Sequence, residues 1–155
     1  MQIKIVPVRI FISRAGESST RLRLRDDRNN PNPVDLPISD TSPAQGNPPD
    51  FATNIEKGDL IIWELDPLSL TNPPSNGFFP IKSIDNIAQT TEIDGPQYRN
   101  SVPVLTGDPV EAGNSFVATV PNPSAGRGKF VNYRIEYTLP NGNRHVQDPQ
   151  LVLNS

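Results

Sequence analysis

The segment from Asp26 to Asp40 concentrates the side chains best suited to hold a hard cation. Ca²⁺ takes carboxylate and carboxamide oxygens as ligands. The residues of this kind are Asp26, Asp27, Asn29, Asn30, Asn32, Asp35 and Asp40. Their spacing lacks the central glycine and distal glutamate of an EF-hand loop, and Asp and Asn are also common in turns. The pattern therefore favours turns, with a calcium site as the alternative.

Aromatic side chains that are expected to be exposed form a second group, because they can stack against a glycan or a small ligand. With three of the acidic residues they make up the predicted ligand-binding set, which is Asp26, Asp27, Asp35, Phe78, Phe79 and Tyr98. The acidic members belong to a predicted loop, residues 26–51, that is rich in proline and asparagine. A loop of this length is commonly a functional one.

Residues that could act in catalysis are few. The chain has one histidine, His145, and no cysteine. Asp148 follows closely, but no Gly-x-Ser-x-Gly nucleophile is present, so we predict that His145 is a surface strand residue. Zinc is disfavoured, because one histidine would leave the ion to carboxylates. A hydrolase that uses Asp26, Asp27 or Glu64 is the least favoured reading, since the sequence gives no paired geometry.

Two basic segments could bind anions. "PSAGRGKF", residues 123–130, lacks the Gly-Lys-Ser/Thr ending and the following helix of a phosphate-binding loop, so a turn is predicted. Arg21, Arg23 and Arg25 alternate along one strand and could meet carboxylates of a neighbouring strand, a partner subunit or an acidic glycan. Pairing with carboxylates on a neighbouring strand is favoured, and protection of an edge strand is a further role.

Strands must position these residues, because 18 prolines and 10 glycines leave no room for a long helix. In "TRLRLR", Leu22 and Leu24 share one face. In "FVNYRIEYTL", alternate residues from Val131 to Leu139 share another. "PNGN" predicts a tight hairpin turn, followed by strands in "RHVQ" and "QLVLN".

Further short segments complete the predicted fold. Strands are expected in "MQIKIVPVRIFIS", "DLIIWEL", "FFPIKSI" and "SFVATV", and "IDNIAQTTEIDGPQYRN" fits either a helical turn or a strand. Trp63 lies in "DLIIWEL" with Ile61 and Leu65 on its face, which predicts a core position. We predict one all-β domain, residues 1–155, folded as an antiparallel β-sandwich of about 7–9 strands.

The charge and hydropathy of the chain limit the classes of partner that we expect. The chain has 14 Lys and Arg against 17 Asp and Glu, a net charge of −3, which does not provide the basic field that nucleic acid attracts. No segment has the length of apolar sequence that a membrane span needs. The N-terminus lacks signal-peptide features, so a soluble, cytoplasmic protein is expected unless a leader has been removed.

The order of the motifs "KGDLIIWELDP", "GFFPIKSI" and "FVNYRIEYTLPNGNRHVQDPQLVL" resembles bacterial cupredoxin-like β-sandwiches, with immunoglobulin-like topology as the alternative. The resemblance covers residues 55–153 and implies a metal-free version, because type 1 copper needs two histidines and a cysteine. A weaker resemblance is to the PixA/AidA inclusion-body proteins. It rests on the Gly58-Asp59 strand start, Asp148-Pro149 and the early loop "RNNPNPVD", and it implies self-assembly.

We therefore expect a non-catalytic protein, with no cofactor, that acts by binding or self-assembly. A homo-oligomer or a glycan or protein partner is expected, and neither nucleic acid nor a membrane. The alternatives are a glycan- or small-ligand-binding module and, last, the carboxylate-dependent hydrolase.

Overall fold

Eleven β-strands and one short 3₁₀ helix lie in the residues that the computed structural model describes, which are 7–36, 51–75, 77–90, 102–121 and 127–154. The strands are β1 (Val8–Arg14), β2 (Leu22–Asp26), β3 (Val34–Asp35), β4 (Ala52–Ile55), β5 (Leu60–Leu65), β6 (Ser83–Thr90), β7 (Val110–Ala112), β8 (Ser115–Thr119), β9 (Phe130–Thr138), β10 (Arg144–Gln147) and β11 (Gln150–Leu153). The 3₁₀ helix, Pro67–Ser69, follows β5 and begins at Asp66, whose carboxylate accepts a hydrogen bond from Leu68 N–H.

The first sheet has six strands in the order β3-β2-β1-β5-β8-β7. Its pairs are antiparallel except for β1 and β5, which run parallel with Ile10 opposite Trp63. β7 and β8 form a hairpin whose turn contains Gly113 at φ 67°. That positive φ at the first central position suits glycine in a two-residue hairpin turn.

The second sheet is built around β9. β6 lies along one edge of β9, and β10 and then β11 lie along the other. β10 and β11 pair with β9 in the same register. Gln150 comes six positions after Arg144, and its partner Asn132 comes six positions before Thr138, the partner of Arg144. β4 completes this sheet as a parallel neighbour of β11.

The core lies between the two sheets. Its fully buried side chains alternate along the strands that face inward, and the largest are Trp63, Tyr133, Tyr137, Phe51, Ile10, Ile12, Leu22 and Leu24. Trp63 of the first sheet meets Tyr133 of the second edge to face, with ring centroids 5.3 Å apart. Burial raises the pKa of the Tyr133 hydroxyl, and the nearby Trp63 indole offsets this only in part. The predicted core position of Trp63 is confirmed.

Several sequence predictions are confirmed by this architecture. The protein is an all-β sandwich, and Leu22 and Leu24 are buried, as are the alternate residues of β9 from Val131 to Leu139. The predicted hairpin turn is closed by Gly142 N–H, which donates to Leu139 O at 2.8 Å.

Other predictions need correction. Both sheets are mixed rather than antiparallel, and the described residues alone contain eleven strands rather than seven to nine. The predicted loop 26–51 begins within β2 and contains β3, while residues 37–50 lie outside the described part. Strand pairing between distant segments leaves no local pattern, and a two-residue strand is too short for alternation to reveal it.

Only the last two residues of the segment "FFPIKSI", Ser83 and Ile84, lie in a strand. Phe79 makes an isolated bridge to Arg14, with two backbone hydrogen bonds of 2.8 Å, and β6 begins only at Ser83. Pro80 follows Phe79 and has no N–H to continue a ladder. The buried Arg14 guanidinium instead donates to the carbonyls of Pro80 and Glu17, at 2.8 and 2.7 Å. Burial lowers the pKa of Arg14, against the opposing charge of Glu17.

Candidate functional site

Asp26, the first residue of the predicted cation site, is 1% exposed and organises the chain around it. Its Oδ1 accepts hydrogen bonds from the backbone N–H groups of Arg28, Asn29 and Asn30, at 2.8, 2.8 and 2.9 Å. Its Oδ2 accepts from the Asn30 side chain and the Thr53 hydroxyl, both at 2.8 Å. The carboxylate is thus occupied by donors of the protein itself.

Asp27 and Asp35 are engaged elsewhere. Asp27 accepts a hydrogen bond from Arg9 N–H at 2.9 Å. Asp35 lies directly across from Arg23 in the β2-β3 pair and forms an ion pair with it at 2.7 Å. The Arg23 guanidinium lowers the pKa of the Asp35 carboxyl, mainly through this hydrogen bond. The structure therefore does not bring the predicted acidic residues together.

Two members of the arginine row, Arg23 and Arg25, form ion pairs with carboxylates at the first sheet. Arg25 holds Asp66 with two hydrogen bonds, at 2.6 and 2.8 Å, and its guanidinium lies 4.2 Å from the centre of the Phe11 ring. Arg9 pairs with Glu64 at 3.2 Å, so Glu64 is also engaged. The favoured pairing with carboxylates is confirmed for Arg23. β2 is not an edge strand, because β3 lies beyond it, so the predicted edge-guarding role is wrong.

Of the predicted aromatic residues, Phe78 joins this charged row. The Arg23 guanidinium lies 5.6 Å from the centre of the Phe78 ring, and Arg23 also donates to the carbonyl of Gly77. Arg23 thus connects two members of the predicted ligand-binding set, Asp35 and Phe78. Phe79 is half-buried beside Arg14, and Tyr98 lies outside the described residues.

His145 lies on β10 as predicted and is half-buried rather than exposed. It stands opposite Tyr137 of β9, and the two rings stack with centroids 5.9 Å apart. Within the described ranges its Nε2 has no hydrogen-bond partner. This stacking accounts for the position of His145 as part of the sandwich.

Calcium is expected to leave the stability of the protein unchanged, because the Asp26 oxygens already accept five hydrogen bonds. Within the described parts of the chain, no group of three or more His, Asp or Glu side chains is placed to hold a metal. Differential scanning calorimetry in calcium and in EDTA measures the effect. A higher melting temperature in calcium would contradict the expectation and would show that the folded protein binds the ion.

Sequence reasoning missed a groove of about 360 Å³ on the outer side of the first sheet. Its apolar lining comes from Leu60 of β5, Val110 of β7 and Val117 of β8, and its polar side chains are Thr106, Asp108 and Thr119. Val110 lies directly opposite Val117 and is 66% exposed.

The segment that builds the groove is fixed by contacts to both sheets. Thr106 N–H donates to Thr119 O of the first sheet at 3.0 Å, and Asp108 Oδ1 accepts from Gln89 N–H of the second sheet at 3.0 Å. The Gly113-Asn114 turn between two apolar alternations was the sequence signal for the β7-β8 hairpin.

No protein-family model matches the chain, and no curated protein matches it. None of the helices in the described residues is long and apolar enough to cross a membrane.

Proposed function

We propose that this protein is non-catalytic and acts by self-association through the groove of Leu60, Val110 and Val117. The observation that carries this proposal is the exposure of Val110, at 66%, on a sheet face where its neighbours are also apolar. Burying such side chains favours association by roughly 25 cal/mol per Å² of apolar surface. The resemblance of the sequence to inclusion-body proteins also implies self-assembly.

The surroundings of the groove support an interface more than a reaction site. A stable interface buries about 800 Å² on each partner, so the contact must extend beyond the groove. Ile62 lies between Arg9 and Val117 in the same row of the sheet and continues the apolar surface. The Arg9–Glu64 ion pair is positioned to form part of a polar rim.

The charged residues considered for catalysis are used in the fold. The Asp26 carboxylate already accepts hydrogen bonds from the protein, including one from Thr53, and Glu64 forms an ion pair with Arg9. Acid-base hydrolysis requires a pair of carboxylates free to act at a cleft, and these two are held by contacts within the fold. This supports a binding role over the hydrolase alternative.

Replacing Val110 with aspartate is expected to abolish the association. The new carboxylate would be buried against Val117 and would lie near Asp108, so both desolvation and like charge oppose the contact. Sedimentation velocity over a range of protein concentrations measures the oligomeric state. We expect the unmodified chain to associate with rising concentration and the Val110→Asp variant to remain a monomer.

Leu70→Asp provides the matched control. Leu70 is 59% exposed, next to the 3₁₀ helix and outside the groove, so the same substitution there should leave association unchanged. If the unmodified chain is a monomer at every concentration, or if both variants weaken association equally, the groove is not the interface.

A small apolar ligand is the second candidate occupant, since the groove has the size of known ligand sites, about 300–1,000 Å³, and mixes apolar lining with three polar side chains. Binding of the fluorescent probe 8-anilinonaphthalene-1-sulfonate separates the cases. A monomeric chain that binds the probe, and loses it in Val110→Asp but not in Leu70→Asp, would favour ligand binding over self-association.

A further inference from the structure

The outer edge of β4 is covered by side chains instead of a strand. Phe51 O and Ile55 O accept hydrogen bonds from Gln150 N–H and Asn154 N–H on the β11 side, both at 2.9 Å. Because successive residues of a strand direct their backbone groups to opposite edges, Ala52 and Asn54 direct theirs away from β11. Among the described strands, none pairs with this second edge.

Three residues of the segment after β2 meet these backbone groups. Ala52 O accepts from the side-chain amides of Asn29 and Asn30, at 3.0 and 2.8 Å. Asn54 N–H donates to Asn29 Oδ1 at 2.9 Å, and Asn54 O accepts from Arg28 Nη1 at 3.2 Å. Side-chain amides thereby supply the donor and acceptor pattern that a neighbouring strand would supply.

The covering segment is itself held in place from both ends. The Asp26 carboxylate binds the backbone N–H groups of residues 28–30 and also the Thr53 hydroxyl of β4. Arg28 forms an ion pair with Asp59 at 3.1 Å. The segment after β2 is therefore held in a defined position against the edge of β4.

We propose that residues 26–30 are an intramolecular cap on the edge of β4, and that removing the cap lets β4 pair with β4 of a second copy of the chain. An uncovered strand edge is a template for pairing with another chain. Two identical strands present the same groups to each other about a two-fold axis, so Ala52 and Asn54 of one copy meet those of the other. The cap and the groove of Val110 belong to different sheets, so this proposal goes beyond the proposed function.

The test uses the full chain with Val110→Asp present in every sample, which removes association through the groove. Asn29→Ala and Asn30→Ala are added together to remove the side-chain amides of the cap, which make three of its four hydrogen bonds to the backbone of Ala52 and Asn54. Sedimentation velocity should then show a dimer. Its dissociation constant should be at least about tenfold lower than that of any dimer formed by the parent variant. Asn86→Ala is the matched control, because its amide donates to Glu136 on an exposed face and covers no strand edge.

A second variant identifies the edge. Ala52→Pro removes the outward N–H of β4, and proline is tolerated only where a strand edge is unpaired, so it should return the uncapped chain to a monomer. A folded, monomeric uncapped variant by circular dichroism and sedimentation would overturn the proposal. So would a dimer that Ala52→Pro leaves intact.

Amide exchange keeps the proposal testable if the double variant unfolds. Asn29→Ala alone removes the acceptor of Asn54 N–H and leaves the Asn30 amide on Ala52 O. Hydrogen exchange at Asn54 should be faster in this variant when dilute and slower again at concentrations where dimers form. Exchange at Asn54 that matches the Val110→Asp parent at all concentrations would count decisively against a cap.

Discussion

Replacing Asp26 with alanine is expected to lower the free energy of unfolding by about 3 kcal/mol or more, although the residue looks like a loop carboxylate in the sequence. The substitution removes the acceptor of five hydrogen bonds at once, and Thr53 is fully buried, so its hydroxyl is left without water as a substitute. Hydrogen bonds to a charged acceptor contribute more than neutral ones, and an unsatisfied buried donor carries the full desolvation cost. Urea denaturation followed by far-ultraviolet circular dichroism measures the change.

Two further variants serve as comparisons for Asp26→Ala. Asp27→Ala removes a neighbouring carboxylate that accepts one hydrogen bond, from Arg9 N–H, and should cost about 1 kcal/mol or less. Asp26→Asn keeps the oxygen that serves the three backbone N–H groups and loses the acceptor of Thr53, so an intermediate cost is expected. Equal stability of Asp26→Ala and Asp27→Ala would show that the buried carboxylate does not hold the segment.

The cost of Asp26→Ala also connects stability with association. The backbone of residues 28–30 is fixed by this carboxylate, and the side chains of the same residues cover β4. A protein that works by association must still limit which edges are open, because a strand edge accepts partners without much selectivity. Under the proposed function, side chains that close one edge would direct association to the apolar groove.

Sequence alone predicts the parts of the fold in which burial alternates locally. Leu22 and Leu24, the β9 residues from Val131 to Leu139, and Trp63 all face the core because a two-residue period places every second side chain on one face. The Asn-Gly hairpin follows from a backbone conformation that glycine adopts readily. These features depend on neighbours in the sequence.

The remaining features depend on distant contacts that leave no periodic signal. The parallel pairs β1-β5 and β4-β11 join segments about fifty to a hundred residues apart. The role of Asp26 also depends on a distant contact. Its residue type and its neighbours suggest a cation ligand, but one of its hydrogen-bond donors is Thr53 on another strand. Val110 looks like any strand residue, and only the sheet order shows that it stands at an exposed edge.

Replacing Trp63 with alanine is expected to lower the free energy of unfolding by about 3–5 kcal/mol. Trp63 is fully buried on β5 and contacts Tyr133 across the two sheets, so the substitution opens a large cavity at the centre of the core. Guanidinium denaturation followed by far-ultraviolet circular dichroism suits this measurement, because the variant has no tryptophan fluorescence.

Comparing Trp63→Phe with Trp63→Ala tests whether Trp63 stabilises the protein through packing alone. Trp63→Phe keeps an aromatic ring at this fully buried position and removes less volume than alanine does, so it should cost clearly less. Leu70→Ala, at an exposed position, should change stability by about 0.5 kcal/mol or less. Trp63 lies on the opposite face of β5 from Leu60, so Trp63→Phe should leave sedimentation unchanged. A loss of association in a fully folded Trp63→Phe variant would instead connect the core to the groove.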